Sequence, residues 1–242
     1  MQRLVYRAHI VDKEDRVVAV LGGRPNDDKY LRLTQDAAAE IERARVQLRF
    51  RPEQQVGRRG DFYSASVGPS FGGLFRAWNP SVHMHYATVL DTLTHEYPDL
   101  RRNFERRFSA FAAATINFGP STVTLPHIDA LNLAWGCVAI TALGDFNPDL
   151  GGHLVLWDLR LIIRFPPGST ILIPSALLRH SNIGMDSNER RYSFTQYSAA
   201  GLFRWVDNGF RTDRTVEEEF RARRTRWAMG INSFRAFERY RW

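Results

Sequence analysis

Three side chains stand out for the chemistry they could do together. His127 and Asp129 form an H-x-D pair, and a second isolated histidine, His180, follows fifty-three residues on. Two imidazoles and one carboxylate are the ligand set of the facial triad, which holds non-haem Fe(II) and leaves three coordination positions open. One residue between His127 and Asp129 lets both side chains reach the same side at the mouth of a strand. The third ligand then has to come from a distant strand. An arginine ten or eleven residues beyond His180, at position 190 or 191, could reach a carboxylate chelated to such a metal, because the planar guanidinium binds carboxylates through two parallel hydrogen bonds.

The elements around these residues have to place them at strand ends. Thr122–Leu125 reads as a short strand running into His127, and Cys137–Leu143 as a buried strand, with a turn at Gly144–Asp149. His153–Trp157 follows Gly151-Gly152 as a strand, Leu161–Phe165 comes next, Ser169–Pro174 follows the Pro166-Pro167-Gly168 turn, and Arg190–Tyr197 closes the series. Many short strands at close spacing suggest an antiparallel sandwich or jelly roll. A competing histidine pair, His83 and His85, lies in a segment of helical spacing from Pro80 to about Tyr97 whose buried face is Val82, Ala87, Val89, Leu90 and Leu93. Two helical positions so spaced diverge by about 200°, so they cannot share a metal.

With those residues in view, the chain resembles the 2-oxoglutarate/Fe(II) dioxygenases, and among them the TET/J-binding-protein branch that oxidises methyl groups on DNA bases. The likeness lies in His127-x-Asp129-x-x-Asn132-x-x-x-Gly136-Cys137 and in Arg191-x-Ser193-x-x-x-Tyr197. The phrases Phe165–Thr170 and Gly201–Trp205 look like the compact homologues of mushroom-forming fungi, and the match covers roughly residues 115–210. The resemblance implies an α+β fold with a double-stranded β-helix (jelly-roll) core and flanking N- and C-terminal helices. It further implies Fe(II) on His127, Asp129 and His180, 2-oxoglutarate as cosubstrate, and DNA containing methylated bases as partner.

Arg191 is the expected partner of the cosubstrate's distal carboxylate, since it shares a strand face with Ser193 and Tyr197 while Arg190 takes the other face. Ser193 would add a hydrogen bond. Asn132 matches the position that contacts a flipped base and Tyr197 an aromatic that stacks on it; Ser181-Asn182 would orient the His180 ring. The chain departs from the animal enzymes at Ala199, where they place a histidine against the base. 5-Methylcytosine is the leading substrate and N6-methyladenine the next. An AlkB-like nucleic-acid demethylase, a protein hydroxylase, or a degenerate jelly roll that binds DNA without catalysis are the rival readings.

Composition bounds the rest. The 242 residues are 44% hydrophobic and 12% aromatic, and no linker divides them. One domain is expected: N-terminal strands and support helices over 1–114, the metal-binding core over 115–210 and a basic helical tail over 211–242. A single cysteine, Cys137, excludes an internal disulfide framework and suits a reducing compartment. No signal peptide and no membrane-spanning run are apparent, so an intracellular, nuclear protein with no membrane association and no obligate protein partner is expected. The net charge is +7, nearly all of it arginine, with only Lys13 and Lys29 as lysines. That sign suits a polyanion.

Upstream, Leu4–Leu21 reads as two strands around a turn at Asp12–Asp15, with Thr34 capping a helix to about Leu48. Arg58–Phe62 and Gly68–Gly73 read as a basic, glycine-rich loop, and Pro98–Ala112 as a helix with Arg101, Arg102, Arg106 and Arg107 on one side. Downstream, Thr215-Val216-Glu217-Glu218 matches a capping box ahead of Arg221 and Arg224.

Overall fold

A computed structural model describes residues 2–4, 8–47, 56–57 and 68–213, and has an α+β architecture. Eleven strands form two sheets among the described residues: β1 (Gln2–Leu4), β2 (Ala8–Val11), β3 (Val17–Gly23), β4 (Val56–Gly57), β5 (Ala113–Asn117), β6 (Val138–Asp145), β7 (Leu154–Leu156), β8 (Leu161–Ile163), β9 (Thr170–Ile173), β10 (His180–Asn182) and β11 (Arg190–Tyr197). The larger sheet runs β2-β3-β9-β6-β11-β5-β4 and the smaller β1-β8-β7-β10. Every pairing is antiparallel except β1 with β8.

Strand alternation sorts the apolar side chains into layers. Val138, Ile140 and Ala142 of β6 and Ile171 and Ile173 of β9 pack on Leu154, Leu156, Leu161 and Ile163 of the smaller sheet, which fills the space between the sheets. On the other face of the large sheet, Ala139 and Leu172 meet helix α3 (Pro80–Glu96), and Leu143 and Tyr192 meet Ala38 and Ile41 of α1 (Asp28–Gln47). Each fully buried Leu or Ile contributes about 1.5–3 kcal/mol. Helix α3 starts where its sequence says: Asn79 accepts from Val82 N at 3.3 Å, and Pro80 takes the first turn. Val82, Ala87, Val89, Leu90 and Leu93 are buried, as their spacing required.

Several expectations are corrected. Helix α1 begins at Asp28, where Asp27 caps it by accepting from Lys29 N at 2.8 Å; Thr34 lies inside and bonds back to Leu31 O. Gly68–Gly73 opens helix α2 (Gly68–Trp78) and is no loop. Pro98–Ala112 is a succession of turns. Arg102 and Arg106 there both reach back to Asp91 on α3, the latter with Nε at 2.8 Å, and these ion pairs compete with a straight helical face. Thr122–Leu125 forms no strand: Thr122 N donates to Arg191 O, and the Asn182 side chain holds Thr124 N and Thr122 O; β6 runs on through Gly144 to Asp145. Helix α4 (Ala200–Asp207) and strand β5 were not anticipated. The sheet also draws β2 and β3 from outside 115–210. Arg58–Phe62 and the capping box at Thr215 lie outside the described residues.

Glu42 ties α1 to β11. It accepts from Tyr192 Oη at 2.8 Å and from Arg45 Nε at 2.7 Å, and the Arg45 hydrogen bond, helped by Tyr192 and opposed by burial, lowers its pKa to about 2. A depressed carboxyl pKa stabilises the fold above the ordinary value near 4.5 and loses that contribution as pH falls towards 2. Glu42→Gln should therefore cost about 1 kcal/mol at neutral pH, or about 2–4 °C in Tm. The difference between variant and parent should vanish in acid-titration melts approaching pH 2.

Candidate metal centre

His127 and His180 meet across an isolated antiparallel bridge, His127 N donating to His180 O at 3.1 Å and His180 N to His127 O at 2.9 Å. Directly opposed residues project to the same side, and the ring centroids are 4.4 Å apart. Asp129, two residues on, is fixed by its own backbone: its N–H donates to Ser175 O at 2.9 Å, and its Oδ1 lies 3.8 Å from His127 Nε2. One ligand atom from each of His127, Asp129 and His180 lies within 4.8 Å of the others.

The rings are aimed by the same device. His127 Nδ1 lies 2.7 Å from Leu125 O, and His180 Nδ1 2.9 Å from Leu178 O. A carbonyl can only accept, so Nδ1 carries the proton and Nε2 keeps its lone pair, the form a metal needs. Burial lowers the His180 pKa and favours the neutral ring. Neither Ser181 nor Asn182 orients that ring, contrary to expectation. Ser181 Oγ accepts from Trp157 Nε1 at 3.0 Å, and Asn182 clamps the chain leading into His127: its Oδ1 accepts from Thr124 N at 2.9 Å and its Nδ2 donates to Thr122 O at 2.7 Å. Only the polar residue types at 122, 124 and 182 hint at this clamp in the sequence.

His180 is buried, Asp129 half-buried, and the His127 side chain 42% exposed, so the ligand set opens on one side. The donors are two nitrogens and one oxygen on that open site, which fits a divalent ion of the Fe(II) type. In the segments next to the ligands in sequence, Leu125 and Leu131 are each 82% exposed, and Val123, Ile128 and Leu177 are exposed as well. His83 and His85 do not compete. His83 meets the Phe75 ring at 5.4 Å, and His85 lies between Trp135 at 4.9 Å and Phe203 at 5.2 Å.

Arg191 is the second feature of the site. It is 2% exposed, and among the described residues its side chain donates only a long 3.5 Å bond from Nη1 to Thr122 O, with a buried Nε that has no partner there. Burial lowers its pKa to about 10. Among the described residues no carboxylate lies within ion-pair distance of it, although a buried cation normally requires one. Thr122 O is also the acceptor of Asn182, one pleat along β10 from His180, so the unpaired guanidinium adjoins the strand that carries the metal ligand. Arg190, by contrast, faces away and sits 3.8 Å from Glu42. Gly144, at φ +114° and paired with Arg191, permits the close approach of β6 to β11: a Cβ there would lie 2.2 Å from Arg190 O.

Ser193 shares Arg191's face and is buried; its Oγ accepts from Asn117 Nδ2 at 2.7 Å, leaving its own proton to donate. Tyr197 is half-buried against the apolar layer between the sheets. The Asn132 amide is turned towards Asp129 and Ser175, and its backbone pairs with Ala199.

No protein-family model matches the chain, and no curated protein is similar to it in sequence. Among solved structures it is similar to NgTET1 in complex with 5mC DNA, at 13% identity over 83% of each chain with a TM-score of 0.44. A 2OG-Fe(II) oxygenase-family oxidoreductase from Burkholderia pseudomallei shares 23% identity over 36% of this chain and 44% of that one, TM-score 0.30. The viral collagen prolyl hydroxylase of Paramecium Bursaria Chlorella virus-1, in its 2OG complex, shares 15% over 36% and 57%, TM-score 0.28. Likenesses this distant do not fix a family, and the chemistry has to be read from the side chains.

Gly136, just downstream of the ligands, is required by packing: a Cβ would stand 2.0 Å from Tyr86 Oη. Gly136→Ala should destabilise by about 1–3 kcal/mol. Adding Tyr86→Phe removes the clashing oxygen and should recover part of that loss in denaturant titrations. Equal stability of the single and double variants would show that the clash is relieved elsewhere.

Proposed function

We propose that this chain is a single-domain 2-oxoglutarate- and Fe(II)-dependent dioxygenase that oxidises the methyl group of a modified base in DNA. 5-Methylcytosine is the leading substrate, N6-methyladenine the next, and the cell nucleus the place of action. The two sheets would be its double-stranded β-helix, with 1–114 as support, 115–210 as core and 211–242 as tail. The observation that carries the reading is the pairing of a convergent His127–Asp129–His180 set with a buried arginine that has no counter-ion among the described residues. A dicarboxylate cosubstrate chelated to a metal accounts for both at once, which neither a plain metal site nor a structural arginine does.

Bound Fe(II) with 2-oxoglutarate would supply oxidation of an unactivated C–H bond, coupled to decarboxylation of the cosubstrate to succinate. The protein's share is positioning. His127 and His180 offer Nε2, and Asp129 its carboxylate. Arg191 receives the distal carboxylate through its planar fork, and the Ser193 hydroxyl adds a donor. Desolvation around Arg191 strengthens that pairing relative to water. Tyr197 stacks on the base that has left the duplex, an extrusion costing a few kcal/mol, and the +7 charge supplies phosphate attraction to offset it. Ala199 in place of a histidine leaves a roomier pocket that admits more than one methylated base. The exposed apolar side chains of Leu125, Ile128 and Leu131 favour a second reading, oxidation of a peptide side chain.

Duplexes bearing 5-methylcytosine, N6-methyladenine or thymine, and methylated RNA or peptides, incubated with Fe(II) and 2-oxoglutarate, separate these readings by mass spectrometry of the products. Oxidised nucleoside from methylated DNA is the expected result. Turnover only on RNA or peptide would move the protein out of the DNA-modifying branch.

Arg191 makes a sharper prediction. Removing a buried carboxylate partner costs about 2–5 kcal/mol, so Arg191→Met should raise the 2-oxoglutarate requirement by roughly tens- to thousands-fold, with little change for Arg190→Ala. Because the unpaired cation is itself a burden on the fold, Arg191→Met should also match or exceed the parent's Tm without cosubstrate. A large Tm loss in that variant would assign Arg191 to structure.

A further inference from the structure

We propose that Asn132 is a positioning residue that holds Asp129 as a one-oxygen ligand, with Ser175 as its anchor; this rests on the metal-binding reading above. The two carboxylate oxygens of Asp129 have different surroundings. Oδ1 faces His127 Nε2 at 3.8 Å, whereas Oδ2 accepts from Asn132 Nδ2 at 3.4 Å. The same amide nitrogen donates its other hydrogen to Ser175 Oγ at 3.3 Å, so both amide protons are in use. Turning the amide over would set its oxygen against a carboxylate oxygen, which fixes its sense.

The anchor is rigid. Ser175 is buried, and its carbonyl takes the Asp129 N–H at 2.9 Å, so one residue grips the ligand through backbone and side chain. Asn132 is pinned as well: its N–H closes a turn onto Asp129 O at 2.9 Å, and its backbone bridges to Ala199. An Asp129 carboxylate free to rotate could chelate a metal through both oxygens and take a coordination position that cosubstrate or oxygen needs. Occupying Oδ2 prevents that. Outer partners of this kind are commonly worth 10–100-fold in metal affinity.

The role differs from base recognition in being needed when no DNA is present. Co(II) serves as probe, titrated into the folded protein without 2-oxoglutarate or DNA and followed by visible d–d absorption. Asn132→Ala should weaken Co(II) binding by roughly 10–100-fold and alter the band shape, because the coordination changes. Ser175→Ala removes only the amide's anchor and should shift affinity the same way by less, which keeps the test alive if the Asn132 variant misfolds. Co(II) affinity and spectrum unchanged in the folded Asn132→Ala and Ser175→Ala proteins would overturn the proposal and leave Asn132 to the substrate. His127→Ala is the control for the underlying reading: if it too binds Co(II) as the parent does, the metal centre itself is wrong, whatever Asn132 does.

Discussion

The pair of backbone hydrogen bonds between His127 and His180 is the constraint on which the site depends. It belongs to no extended strand pair, so its register is not enforced by a ladder of neighbours. Supporting contacts have to come from outside. Asn182 grips Thr122 and Thr124 on one side of His127, and Ser175 grips Asp129 on the other. A slip of one residue in this bridge would turn one imidazole to the opposite face, and no adjustment of side-chain torsions could restore the ligand set. The polar clamps therefore do for this bridge what apolar burial does for β6 and β9.

Sequence made some of this legible and hid the rest for identifiable reasons. Most strands from Val138 to Tyr197 are readable because they are apolar runs set off by turn signals such as Gly151-Gly152 and Pro166-Pro167-Gly168, and the phase of Arg191 against Arg190 follows from strict alternation. Gly144 reads as a turn residue, so the full extent of β6 is hidden; in the structure it stays in the ladder opposite Arg191, where β11 approaches too closely for a Cβ. Pro98–Ala112 misled because its arginine spacing suits a helix, while the partner that decides the matter, Asp91, lies on another element.

The ligands themselves were visible as residue types, but their supports were not. Nothing local links Ser175 to Asp129 or Asn182 to Thr124; those contacts join segments more than forty residues apart and exist only once the sheets are formed. Asn132 shows the limit most clearly. Its position after H-x-D suggests the base as its partner, while its amide nitrogen also reaches the protein's own carboxylate and hydroxyl, a contact that no sequence spacing announces.

Arg191 carries the energetic case for function. A guanidinium taken out of water without a carboxylate is a net loss to the folded state, several kcal/mol in typical cases, against a total stability of about 5–15 kcal/mol. Among the described residues the one acceptor for the Arg191 side chain is a carbonyl at 3.5 Å already shared with Asn182, while Glu42 and Arg45 on the other face form a close pair of their own. A residue with only a structural role gains nothing from that arrangement, since an apolar side chain of similar volume would pack there at lower cost. An anionic ligand that enters and leaves does gain from it, because its binding recovers the desolvation already spent on the guanidinium. On the proposed reading, the buried cation and the open ligand set answer one requirement, a site that a chelating dicarboxylate would complete.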